Sequence, residues 1–77
     1  MSLADLKPGQ TAVVTALQET DLGVQRLITL GLVEGCRLSL VRRAIGGDPL
    51  EIEVRGAALT LRGSEAAKIQ VQLEEPA

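Results

Sequence analysis

The sequence predicts a small, mainly β fold, an SH3-like barrel of five short antiparallel strands with one short α-helix after the first strand. Three observations carry that expectation. Two-residue alternation of apolar and polar side chains recurs along the chain, one window alone has helical spacing, and glycine and proline turn signals separate the strands at short intervals. A barrel suits so short a chain because closing the sheet on itself removes the unpaired edges that an open sheet exposes.

The chain opens with MSLADLKPGQ, in which Leu3 and Leu6 are apolar pegs on a loop and Pro8-Gly9 is a turn pair. Thr11 to Leu17, TAVVTAL, is β-branched and short. It reads as the first strand, with Ala12, Val14 and Ala16 on one face and Val13, Thr15 and Leu17 on the other. Both faces are apolar enough for a central position. Gln18 to Gly23 is a polar connector that ends in Asp21 as a helix N-cap and Gly23.

Val24, Leu27, Ile28 and Gly31 then share one face at i, i+3, i+4 and i+7, while Gln25, Arg26 and Thr29 face away. The spacing predicts a helix of about two to three turns. Gly31 stands where the helix should stop, a position that commonly needs a left-handed backbone, and Gly35 marks a turn. Beyond it the period changes from 3.6 to 2.

Leu38 and Leu40 alternate with Arg37, Ser39 and Val41 in a half-buried second strand that Arg42-Arg43 ends. The cluster AIGGDP at 44–49 is a turn. Leu50, Ile52 and Val54 alternate with Glu51, Glu53 and Arg55, and Leu59 and Leu61 alternate with Thr60 and Arg62, so residues 50–62 form a hairpin around Gly56. Ser64 is positioned to cap one helical turn through Ala67. Ile69, Val71 and Leu73 form the last strand, and Glu74 to Ala77 is expected to fray.

Composition narrows what such a fold can do. Seventy-seven residues leave room for one domain, 1–77, which buries only roughly 60% of its unfolded surface, so its core must be economical. That core has to be aliphatic, because the chain holds no Phe, Trp, Tyr or His. The net charge of −2 speaks against a general nucleic-acid binder, which needs a basic field. The single cysteine, Cys36, allows no internal disulfide, and the start of the chain does not have the pattern of a secretion signal, so the expected location is cytoplasmic. No apolar run approaches the roughly 20 residues of a membrane helix.

Catalysis is not expected, since the commonest general base is missing and no nucleophile and base are paired in the sequence. The chain has no phosphate loop ending in Lys-Ser or Lys-Thr either. Metal binding and cofactors are likewise not expected: soft and borderline ligands are nearly absent, Glu51 and Glu53 read as a solvated strand face, and Cys36 reads as a small buried apolar residue. A proline-rich peptide groove would need aromatic rings, and a nucleic-acid face at Arg37, Arg42 and Arg43 would need rings for base stacking.

Laid out in order, the residues from Leu3 to Val71 resemble the FeoA family, small cytoplasmic proteins of bacterial ferrous iron transport. The marks are Leu3, Leu6, Lys7, Pro8 and Gly9, then Arg26, Leu27, Leu30, Gly31, Leu32 and Gly35, then Gly47, Asp48, Pro49 and Leu50, and finally Leu59, Leu61, Arg62, Glu65 and Ala66. Leu30 stands where the family usually has Met, and Ile45 where it often has Pro. The resemblance implies an SH3-like barrel acting on the cytoplasmic side of FeoB, a membrane permease that carries a GTP-binding domain. A similar domain ends the DtxR-type metal-dependent repressors, so the alternative is a stand-alone domain that modulates such a transcription regulator.

Protein contact is the remaining function class. Leu30, Leu32 and Val33 crowd around Gly31, more apolar side chains than a small core can take, and Ile45 lies in a glycine-rich loop. The expected partner-binding surface joins the helix end and the loop 44–50 in an apolar clamp of Leu30, Leu32, Val33, Ile45 and Leu50, rimmed by Arg26, Arg42 and Arg43. On the alternative reading these residues simply cover the mouth of the barrel. Weak self-association is compatible with either.

Overall fold

The computed structural model describes residues 1–74. Five strands, β1 (Thr11–Leu17), β2 (Arg37–Arg43), β3 (Leu50–Val54), β4 (Ala57–Leu61) and β5 (Ile69–Glu74), form one antiparallel sheet. An eight-residue helix, α1 (Leu22–Thr29), follows β1, a four-residue helix, α2 (Gly63–Ala66), joins β4 to β5, and a 3-10 turn spans Leu3–Asp5. Glu74 belongs to β5, pairing with Thr11, so the expected fraying does not begin there. The rest of that stretch, 75–77, lies outside the described residues.

The strand order is β4-β3-β2-β1-β5, which places β1 in the sheet interior, as its two apolar faces predict. The expected closure of the sheet does not occur: among the described residues the ladder stays open between β4 and β5. The outer edge of β5 is occupied instead by the start of the chain. Ser2 bridges to Gln70, and the Val71 N–H donates to the Met1 carbonyl at 2.9 Å.

The core is the aliphatic one that composition demands. Leu3, Leu6, Ala12, Val14, Val24, Leu27, Leu38, Leu40, Ile52, Val54, Leu61, Ile69 and Val71 are buried, with Cys36 among them. Strand alternation accounts for most of these positions, and two bulges account for where it fails. A register shift at Thr15 in the β1–β5 ladder turns Ala16 outward, off the face of Ala12 and Val14, and a second at Val41 in the β2–β3 ladder leaves Val41 and Arg42 both exposed.

The helix ends are built as their residues dictate. An Asp21 carboxylate oxygen accepts the Val24 N–H at 3.0 Å, the N-cap bond that leaves one fewer orphan donor in the first turn. At the other end Gly31 has φ +108°, its N–H donates to the Ile28 carbonyl, and the Leu32 N–H donates to the Leu27 carbonyl, both at 3.0 Å. These two bonds are the Schellman arrangement, in which the residue after the glycine folds back on the helix. In α2 the cap differs from expectation. Ser64 lies inside the helix, and the carboxylate of Glu65 accepts the Arg62 N–H at 2.9 Å, so Arg62 is the N-cap residue.

Candidate partner-docking surface

The Schellman turn decides which of the crowded apolar residues reach the surface. Leu30, the last residue with helical backbone, keeps its side chain half exposed at 51%, while Leu32 is carried back over Leu27 and fully buried. Leu32 therefore belongs to the core and not to a docking rim. Leu50 corrects the expectation in the same way: it occupies the inward face of β3 opposite Leu61, with no exposure.

Ile45 is wholly exposed at the tip of the loop between β2 and β3. Val33 is partly exposed, but in the turn before β2. Those two positions flank opposite ends of a seven-residue strand that spans on the order of 20 Å, so they do not form one patch.

The three arginines have separate roles. Arg42 lies exposed on the bulged strand with its Nε 3.4 Å from a Glu51 oxygen, a surface pair of small energetic weight. Arg43 is not a rim charge. Its Nη2 donates to the carbonyls of Ala4 at 2.5 Å and Leu6 at 2.8 Å, and its Nη1 to that of Gly47 at 3.4 Å, so one guanidinium fork ties the 3-10 turn and the β2–β3 loop to the end of β2. Arg26 faces out from α1, with its Nη2 at 3.5 Å from Glu65 of α2.

Sequence reading missed Leu22, which is 81% exposed. The signal was present: Leu22, Arg26 and Leu30 are spaced i, i+4 and i+8, a second stripe opposite the buried one of Val24 and Leu27. The surface of α1 is thus an apolar ridge with an arginine at its middle.

Beside that ridge a cleft of about 510 Å³ opens between α1, the end of the β2–β3 loop, β4 and α2. Arg26, Asp48, Pro49, Thr60, Arg62 and Glu65 line it. Its two carboxylates are engaged with the protein's own backbone, Glu65 with the Arg62 N–H and Asp48 with the Gly63 N–H at 3.0 Å. A Cβ at Gly23 would collide with the Glu65 carboxylate, so the glycine leaves room for that side chain where it stands.

The start of α1 is anchored by an ion pair. Lys68 Nζ lies 2.6 Å from Asp21 Oδ1, and this bond, followed by the Val24 N–H, holds the Asp21 carboxyl below its usual range. Among the described residues no three Cys, Asp or Glu side chains converge as a metal site requires. No helix among them is long and apolar enough to cross a membrane.

A five-stranded antiparallel sheet with a helix after its first strand, an aliphatic core and an exposed apolar ridge defines a small SH3-like module. The FeoA domain family matches residues 1–73, and the chain belongs to that family. It is similar to a FeoA protein from Chlorobium tepidum, with 42% identity, a TM-score of 0.86, and 95% of this chain and 70% of that one covered. It is also similar to FeoA from Stenotrophomonas maltophilia, a prokaryotic SH3 domain protein crystallised with zinc, with 34% identity, a TM-score of 0.78, and 94% and 89% covered.

A further relative is an Fe(2+) transport protein A/Fe(2+) transporter FeoB fusion protein from Porphyromonas gingivalis, 30% identical over 73 residues. The match takes in 95% of this chain and spans 9% of the length of that relative. The family is thus one of SH3-like domains associated with ferrous iron transport.

Proposed function

We propose that this domain is a non-enzymatic accessory of ferrous iron uptake that binds the cytoplasmic part of an FeoB-type transporter and shifts the balance among that partner's conformations or assemblies. The observation that carries this reading is the fused relative, in which the two components occupy one polypeptide. Fusion keeps two partners at an effective concentration in the millimolar range, whereas a separate chain must supply the association through its own surface. The ridge of Leu22, Arg26 and Leu30, together with the separate exposed Ile45 on its loop, supports the reading, since exposed apolar side chains beside arginine are the composition of a contact patch. Action by contact follows: a partner that binds one conformation better than another moves the equilibrium by the difference in affinity.

The test is capture of the soluble cytoplasmic region of an FeoB-type transporter by the full chain and by the Leu30→Glu and Ile45→Glu variants. Both variants fold, because both side chains are already exposed, and both lose binding. Capture that survives both changes overturns this surface. Modulation of a metal-dependent transcription regulator is not favoured, because the family is that of FeoA and the fused relative is described by Fe(2+) transport. That alternative requires binding to a helix-turn-helix protein and ferrous iron uptake unaltered when the chain is deleted.

A further inference from the structure

We infer that the outer edge of β4 is a strand-addition site for an extended acidic segment of a partner protein, a proposal that deepens the docking reading by naming a second contact and its chemistry. Val54 and Ala57 flank a two-residue turn, Arg55-Gly56, whose φ values of 52° and 81° are both positive. In such a hairpin the flanking residues exchange both backbone bonds, and the pattern alternates along the ladder. Ala57, Leu59 and Leu61 therefore direct their N–H and C=O groups toward β3, and Ala58 and Thr60 direct theirs outward. Among the described residues none of those four outward groups has a partner.

Natural sheets protect such an edge with lysine, proline, a bulge or a covering segment. β4 has none of these: it reads Ala-Ala-Leu-Thr-Leu, its register with β3 is unbroken, and Ala57, Ala58 and Thr60 are exposed. A peptide that adds a strand here gains main-chain bonds from Ala58 and Thr60 without any rearrangement of β3.

The acidic character of the occupant comes from what lies at the end of the strand. Thr60 and Arg62 lead into the cleft that Arg26 also lines. The carboxylates of that cleft are turned onto backbone N–H groups of Arg62 and Gly63. The guanidinium of Arg62 has no ion-pair partner among the described residues, and that of Arg26 is held only at 3.5 Å. The unspent donors are those of the Arg62 guanidinium, a fork that matches a carboxylate in geometry and charge, while Arg26 already donates to Glu65. A strand laid on β4 carries its end residue to them.

The probe is a capped ten-residue peptide of alternating Val and Glu, titrated into the isotopically labelled full chain. The expected result is a shift and slowed hydrogen exchange at the Ala58 and Thr60 amides. Thr60→Pro, which deletes one outward donor and leaves the β3 ladder intact, and Arg62→Glu should each weaken binding roughly tenfold. Unmoved Ala58 and Thr60 amides, or equal binding of a Val-Lys peptide, overturn the inference. The same shifts in unliganded protein on raising its concentration alone would assign the edge to a second copy of the chain and overturn it as well.

Capture of the transporter's cytoplasmic region separates this inference from the reading beneath it. Loss of capture with Thr60→Pro supports the edge, while capture that survives Thr60→Pro and Arg62→Glu but not Leu30→Glu overturns the edge alone. Peptide binding at β4 without any capture of the transporter region by the unsubstituted chain overturns the docking reading and leaves the strand-addition site standing.

Discussion

The two edges of this sheet are treated in opposite ways. At β5 the opening residues fold back along the strand: Met1 accepts from Val71, Ser2 bridges to Gln70, and Leu3 and Leu6 drive into the core. Arg43 fastens the same segment by its grip on the Ala4 and Leu6 carbonyls. At β4 the outward backbone groups have no partner among the described residues, Ala57, Ala58 and Thr60 are exposed, Glu51 and Glu53 of β3 stand opposite Thr60 and Ala58, and Arg62 follows its end beside a cleft. One edge is covered by the opening residues at Gln70 and Val71; the other has no backbone partner among the described residues.

Substitutions on the sealed side should cost the most. Leu3→Ala removes a fully buried side chain and should lower unfolding free energy by about 2–5 kcal/mol in denaturant titration. A loss under 1 kcal/mol would mean that the opening segment is not part of the cooperative core. Arg43→Ala strands backbone carbonyls of the opening segment and the loop and should cost about 1–3 kcal/mol. Arg43→Lys should recover only part of that, because one ammonium can serve the Ala4 and Leu6 carbonyls as Nη2 does but cannot also reach the Gly47 carbonyl held by Nη1.

Asp21→Asn is a gentler test on the same side, since Asn still caps α1 but cannot pair with Lys68, the residue just before β5. The Asp21 carboxyl is held below the usual 3.8, so its pairing contributes stability above that value and loses it as pH falls through the lower folded value. Urea midpoints of the two proteins should thus differ at pH 7 and converge on acidification below about 4. A gap that persists at low pH would assign the difference to something other than this charge. On the open side Ala58→Lys should change stability by no more than about 0.5 kcal/mol, within the range for surface positions. A larger loss would show that β4's edge is covered after all, and the contrast between the edges would fail.

Much of this architecture could be read from the residues. All five strands, the helix with its Asp21 cap and its stop at Gly31, and the hairpin around Gly56 follow from local periodicity and turn chemistry, which act over a few residues. The bulges at Thr15 and Val41 could not be read, because a bulge is a property of two paired strands. The residues expected on a docking surface divide along the same line. Leu30 and Ile45 were legible as surplus apolar side chains. Leu32 and Leu50 were misplaced, since their burial depends on a glycine-directed reversal and on which face of β3 meets the core. Arg43 was misread because its three carbonyl partners lie four to 39 residues away.

By itself the sequence determined an aliphatic β fold with one capped helix, no aromatic platform and no histidine. Those are matters of residue type and short-range pattern. Only the tertiary structure decided that the chain's start seals β5, that β4 is left bare, and that Arg26 and Arg62 meet across one cleft. Each of these joins residues distant in sequence, and local propensity carries no information about such pairings.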